Sequence, residues 1–211
     1  MQGSGDPKQE GGALRVLIIA ASSRSGSYNA RLARAAQDLA RRAGAHTTWV
    51  DLRALDLPLY DGDLEAARGV PQGARALRDL FASHDALILS SPEYNALPTP
   101  LLLNSFDWLS RVQAEGLTPA GAAATAGKVA GLLAASPGAY GGVRALPMVR
   151  QFLSTNFGML VVPEHFALSH ADAAFDDAGL LKQPAAQAGL ERVVGGVLRV
   201  GSALRKSGAA A

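Results

Sequence analysis

The chain has 211 residues, 48% of them hydrophobic and 18% charged, which fits one ordinary domain with a sizeable core and excludes general disorder. Formal net charge is only +2 and the basic residues form no cluster, so the basic stripe of a nucleic-acid-binding surface is missing. There is no cysteine, which excludes disulfides, thiolate metal sites and cysteine nucleophiles and fits a reducing compartment.

The opening MQGSGDPKQEGG is polar and glycine-rich, without the apolar segment of a signal peptide. No apolar stretch reaches the roughly 20 residues of a membrane span. The expectation is a cytoplasmic protein with neither membrane nor nucleic acid among its partners. Residues 1–12 and 207–211 are expected to be disordered tails around one domain at 13–206.

The first apolar run, LRVLIIA at 14–20, reads as a strand buried on both faces. Behind it ASSRSGSYN (21–29) crowds four serines, an arginine and an asparagine into the join with a helix. Tyr28, Leu32, Ala35, Ala36, Leu39 and Ala43 are expected on one face of that helix, with Arg31, Arg34, Asp38, Arg41 and Arg42 largely on the other. Gly44 then stands where a helix-ending glycine would. HTTWVDL (46–52) is the second strand. Residues 53–70 show no periodicity and read as a connection lying across the surface, with Asp61-Gly62-Asp63 as a turn.

A helix is expected at 71–83, a third strand in DALILSS (85–91), and a helix at 100–113. KVAGLLAAS (128–136) is the fourth strand, followed by a helix at 142–156 and a fifth strand in GMLVV (158–162). The last helix, 179–206, is weakened by Gly195-Gly196. Strand and helix alternate five times, which predicts an α/β three-layer sandwich around a parallel sheet. Ligands of such sheets bind beyond the carboxyl ends of the strands. The loops at 21–28, 91–99 and 136–142 therefore meet at one edge.

The first of these loops has the composition of an anion site. A helix N-terminus favours an anion, Ser22, Ser27 and Asn29 can add donors, and Arg24 adds a charge-assisted one. No acidic residue occurs between Glu10 and Asp38. The plainer alternative is that Ser27 or Asn29 only caps the helix. No G-x-x-x-x-G-K-[ST] and no G-x-G-x-x-G follows the first strand, which excludes a P-loop and leaves a dinucleotide fold without its fingerprint. A hydroxyl-rich loop instead suits one terminal phosphate, such as that of flavin mononucleotide (FMN). In the second loop PEYN reads as a tight turn with exposed amides, and in the third the glycines of SPGAYGG allow close approach to a ring.

Together these motifs resemble those of the NADPH-dependent FMN reductases, a flavodoxin-like family that includes quinone, chromate and azo-dye reductases. The family motif G-S-x-R-x-x-S-x-N reads here as Ala21 to Asn29, P-E-Y-N stands at Pro92 to Asn95, and S-P-G-x-x-G-G at Ser136 to Gly142. The resemblance covers about residues 14 to 163 and implies a five-stranded parallel sheet in order 2-1-3-4-5. It implies that Ser22, Arg24, Ser27 and Asn29 hold the flavin phosphate. Pro92, Glu93, Tyr94 and Asn95 would line the ring and ribityl chain, with Ser136, Gly138 and Gly141 flanking the ring from the other side.

Ala21 replaces the usual glycine, which restricts φ there, and Leu103 stands where many members carry a lysine. The implied reaction passes hydride from NADPH to the flavin and on to a quinone, free flavin, azo compound or metal oxyanion. It needs no catalytic side chain and no metal. The preference for NADPH follows from the family and from an acid-free stretch, 116–163, that carries Lys128, Arg144 and Arg150.

Two other readings compete. AASPG at 134–138 approximates the nucleophile elbow of an α/β-hydrolase, but Pro137 lacks the N–H that an oxyanion hole would need. A flavodoxin-like electron carrier, or an FMN-binding module, without reductase activity of its own is the stronger rival. Finally, the helix opening at Pro100 is apolar on more than one side, with Trp108 about 120° from Leu102. Either residues 53–70 or the last helix cover the second side, or it is the interface of a homodimer, as the resemblance also implies; the family often goes on to homotetramers.

Overall fold

The computed structural model describes residues 12–208. Of the two expected tails, residues 1–11 and 209–211 lie outside the described residues, while Ser207 and Gly208 belong to the last helix. The apolar runs become β1 (Arg15–Ala20), β2 (His46–Val50), β3 (Ala86–Ser90), β4 (Val129–Ala135) and β5 (Leu160–Leu168), all parallel in the order β2-β1-β3-β4-β5. β3 and β4 are buried along their whole length, as strands covered by helices on both faces must be. The flavodoxin-like α/β sandwich is thus observed. β5 runs past Pro163, which an apolar-run reading stops at, because it is an edge strand and an edge tolerates a missing N–H.

α1 (Tyr28–Arg42) starts at Ser27 and is closed by Gly44 at φ +87. Its buried stripe is Asn29, Leu32, Ala33, Ala36, Gln37 and Ala40, rotated from the expected face so that Ala43 is exposed. Alanines are indifferent to such a rotation. Asn29 is not, because it bonds to the strand ends (below). A 3₁₀ turn at Leu52–Leu55 and α2 (Gly62–Arg68), capped by Asp61, interrupt the segment expected to be irregular.

α3 (Gln72–Ser83) and α4 (Pro100–Arg111) pack on one face of the sheet with Leu77, Phe81, Leu102 and Phe106 in the core. Trp108 also has no exposure, and its cover comes from the 57–70 connection. Its Nε1 donates to the Pro58 carbonyl at 2.7 Å and Tyr60 stacks on it edge-on, with centroids 5.1 Å apart. Arg111 binds Glu65 across the same seam, which holds that carboxyl below its ordinary range. Of the two alternatives for the second apolar side of α4, cover by the 53–70 connection is the one seen, and Trp108 gives no ground for a dimer.

α5 (Gly121–Thr125), absent from the sequence reading, precedes β4. After β4 a 3₁₀ turn (Val143–Ala145), α6 (Leu146–Gln151) and a π-turn (Phe152–Asn156) fill the expected helix. α7 (Pro184–Gly208) begins five residues later than expected and runs unbroken through Gly195-Gly196. A Cβ on Gly189 would lie 2.6 Å from Phe166 Cδ2, so that glycine lets the helix approach the edge strand closely, whereas Gly196 meets only the carboxylate end of Glu164. Among the described residues no helix is long and apolar enough to cross a membrane.

Candidate functional site

The sheet brings the three loops to one edge, tied by Ala21 N–H to Ser90 O at 2.9 Å, Ser91 N–H to Leu133 O at 2.9 Å and Ser136 N–H to Leu168 O at 3.1 Å. Between them lies a cleft of about 190 Å³. Ser22, Arg24, Ser27, Asn29, Pro92, Glu93, Tyr94 and Ser136 line it, with Tyr28, Ala135 and Pro137. A larger cavity, about 580 Å³, opens at the opposite edge beside Leu14, Gly44 and Arg205, and no motif residue touches it.

The first loop enters α1 through Ser27, whose Oγ accepts the N–H groups of Asn29 at 3.2 Å and Ala30 at 3.4 Å. The cap leaves the hydroxyl proton of Ser27 without an acceptor among the described residues, and the amides of Gly26, Ser27 and Tyr28 have none either. Ser22 Oγ accepts the Arg24 amide at 3.4 Å. The Arg24 guanidinium is exposed, stands 5.3 Å from the centroid of Tyr28, and meets no carboxylate among the described residues. Together these groups form a concave set of donors at the positive end of a fifteen-residue helix. A phosphate fits this donor set, whose only fixed charge is Arg24.

Asn29 plays a different part. Its Nδ2 donates to Ala135 O at 2.8 Å, and its Oδ1 accepts from Ala135 N at 3.0 Å and Ser90 Oγ at 2.9 Å. A buried amide so engaged ties α1 to the ends of β3 and β4 and keeps one N–H of Nδ2 unengaged among the described residues. Asn29 thus acts as a clamp beneath the loop, a service the sequence reading did not assign to it.

In the second loop Tyr94 and Leu97 exchange backbone hydrogen bonds of 3.0 Å around a two-residue turn. Asn95 at φ +53 and Ala96 at φ +65 are both left-handed, as a type I′ turn requires. Asn95 is exposed and outside the cleft lining, so its side chain is not among the groups that face the cleft, and its backbone forms the turn. The amide of Tyr94 is used by Leu97; those of Glu93 and Asn95 have no acceptor among the described residues. The Glu93 carboxylate accepts from Arg144 Nε at 2.7 Å, from Arg144 Nη2, and from the amides of Arg144 at 2.9 Å and Ala145 at 3.3 Å.

In the third loop Ser136 Oγ accepts the Gly138 amide at 3.2 Å. Gly138 is exposed and a Cβ there would meet only Ser136 Oγ, at 3.6 Å. Gly141 differs: at φ +60, its Cβ position falls 2.7 Å from Ser169 N and 2.8 Å from the Leu168 carbonyl carbon. The close approach to the end of β5 therefore accounts for glycine at this position. No histidine ring is bonded to Ser136 Oγ, so the hydrolase constellation is not assembled.

The cations invoked for NADPH are also otherwise engaged. Arg150 donates to Val161 O and Pro163 O at 3.0 and 3.2 Å, Arg144 is held by Glu93, and Lys128 donates to His84 O below the far ends of the strands.

The description NADPH-dependent FMN reductase matches residues 14–173, about three quarters of the chain. A quinone reductase of Pseudomonas putida is 34% identical over 181 residues, which cover 84% of this chain and 91% of that one. The chain belongs to the NADPH-dependent FMN reductase family.

A relative from Pseudomonas aeruginosa, described as an NAD(P)H-dependent FMN reductase, is 34% identical over 169 residues, covering 80% of this chain and 84% of that one. The solved structure of FerB, a flavoenzyme NAD(P)H:(acceptor) oxidoreductase from Paracoccus denitrificans, superposes with a TM-score of 0.72. It is 25% identical and covers 89% of this chain and 96% of its own. The protein is thus an oxidoreductase of the NAD(P)H-dependent quinone and FMN reductase type.

Within this family member the two departures from the motif sort themselves. Ala21 is buried and not among the residues of positive φ, so the alanine strains nothing. Its carbonyl accepts Thr99 Oγ1 at 2.8 Å, which ties the first loop to the cap of α4. Leu103 is half-buried on α4. Sequence reasoning missed Arg53, whose Nη1 donates to Ser23 O at 2.8 Å and steadies the first loop from the end of β2. It also missed the pairing of Arg144 with Glu93. A lone arginine in a connection carries no signal of the carbonyl it will reach.

Proposed function

We propose that the cleft binds FMN, and that the protein uses NADPH to reduce a small quinone-type acceptor in the same site. The donor-rich first loop carries this reading: unengaged amides at Gly26, Ser27 and Tyr28, the hydroxyls of Ser22 and Ser27, and a guanidinium at Arg24 without a carboxylate. These residues would hold the phosphate. Pro92, Glu93 and Tyr94 would set one wall for the ring, and Ser136, Pro137 and Gly138 the other.

FMN, when bound, supplies the two-electron chemistry between nicotinamide and acceptor. The chain supplies position. The amides of Glu93 and Asn95 are left to read the edge of a flat heterocycle, and exposed Tyr94 and Tyr140 offer aromatic surface near the mouth. NADPH as reductant rests on the family, since Lys128, Arg144 and Arg150 are engaged elsewhere. Quinones, free flavin, azo compounds and metal oxyanions are the acceptor classes to compare.

A homodimer is part of the same proposal, carried by the family likeness and no longer by Trp108. The test is direct: cofactor released by heat from the purified protein is identified by chromatography, and NADPH is added to the intact protein with a quinone. FMN as the released species, bleached by NADPH and restored by quinone, is the expected result. FAD as the dominant species, or no flavin uptake from solution, would refute it.

A further inference from the structure

The Glu93 side chain lines the cleft and is 6% exposed, whereas that of Arg144 is 57% exposed. A carboxylate in such a place opposes an anionic ligand unless its charge is compensated. Here compensation is local. Arg144 meets Oε1 through Nε and Nη2, and the amides of Arg144 and Ala145 meet Oε2 at 2.9 and 3.3 Å. One side chain thereby holds the turn after Gly142 against the loop after β3. Gly142 allows this approach: a Cβ there would be 3.0 Å from Ala134 Cβ and 3.6 Å from Glu93 Cβ. On its outer side the Arg144 guanidinium lies 5.2 Å from the centroid of Tyr140, which is 67% exposed.

We infer that Glu93 and Arg144 form a charge-neutral clasp that fixes the two walls of the ring end of the cleft and sets the electrostatic potential there, with FMN as the ligand proposed above. Glu93 is then a positioning residue: it acts through the third loop and Arg144. Reduction adds electrons to the ring, so a fixed charge left unbalanced nearby moves the balance between oxidised and reduced flavin. The two partners must move it in opposite directions. Glu93→Gln leaves a guanidinium uncompensated and favours the reduced form. Arg144→Gln leaves a carboxylate uncompensated and disfavours it. The double variant returns toward the wild type.

Two measurements test this. The reduction midpoint of bound FMN is titrated for the wild type, E93Q, R144Q and the double variant. Opposed shifts in the single variants, largely cancelled in the double, are expected, with FMN binding weakened roughly tenfold in each single variant. Hydrogen exchange of the flavin-free protein is the second: in Glu93→Ala the amides of Arg144 and Ala145 exchange about tenfold faster or more, while the β1 amides do not. Midpoints that stay put or shift together, or unchanged exchange at Arg144, would overturn the clasp even if FMN binds tightly. A wild type that takes up no FMN would refute the ligand, and the exchange result would still decide whether Glu93 holds the loop.

Discussion

Around the first loop the donors that face the cleft have no acceptor among the described residues, whereas across the cleft most motif side chains are committed to other parts of the protein. Ser27 caps α1 and keeps a proton, and Arg24 meets no carboxylate among the described residues. Opposite them Glu93 is bound to Arg144, Asn95 forms a turn, and Gly141 is pressed on β5. Asn29, though it stands in the first motif, belongs with the second group. A motif therefore mixes two kinds of residue: those left unsatisfied for a ligand, and those that hold the loops where the ligand needs them. The first should respond to mutation through binding, the second through stability.

The sharpest contrast lies within the first motif. Asn29→Ala leaves buried groups at Ser90 and Ala135 unpaired, and should cost about 3 kcal/mol of stability, the upper end for a buried polar group deprived of its partner. Urea unfolding reads this. Gly141→Ala comes next, at about 1–3 kcal/mol for a side chain forced to positive φ, and more if the backbone of β5 cannot yield. Gly138→Ala has only Ser136 Oγ within 4 Å and should change stability by no more than about 0.5 kcal/mol. Equal losses at the two glycines would break the distinction.

Arg24→Ala should do the reverse of Asn29→Ala. FMN affinity falls about ten- to a hundredfold, while the unfolding midpoint hardly moves. An unchanged dissociation constant at low salt would place the phosphate elsewhere.

The smallest effect comes from pH. His84 is half-buried on the far side of the sheet, with Nδ1 2.7 Å from Leu80 O and Nε2 2.7 Å from Thr48 Oγ1. Burial lowers its pKa below the ordinary 6.5, so the native state favours the neutral ring. Its contribution to stability is present above pH 6.5 and is lost as pH falls through the depressed value. Thermal melts between pH 7 and 5 should show a modest decline that His84→Gln reduces, with no matching change in the affinity of the cleft. Unaltered pH dependence in that variant would assign the decline to other groups.

How far the sequence speaks follows the same division. The strands are legible because a buried parallel strand needs a continuous apolar run, and the loops follow from where those runs end. The helical stripe of α1 lies about one residue from where periodicity puts it, because alanine suits either face and only the bonds of Asn29 to residues 61 and 106 positions away fix its rotation. α5, built from Gly121, Ala122, Ala123, Ala124 and Thr125, has no periodicity to announce it. Trp108 shows the limit most plainly. Two apolar sides on a helix demand cover, but periodicity is the same whether Pro58 and Tyr60 or a second chain supplies it. In the site, residue types reveal the donors. They do not reveal which donors the fold will use for itself.

The central claim is that the first loop is a phosphate site within a flavin cleft. Fluorescence titration of the flavin-free protein with FMN and with riboflavin, which differ only in that phosphate, tests it most directly. The account predicts that riboflavin binds at least about a hundredfold more weakly, as expected on losing several charge-assisted hydrogen bonds. Equal affinity for the two would contradict it.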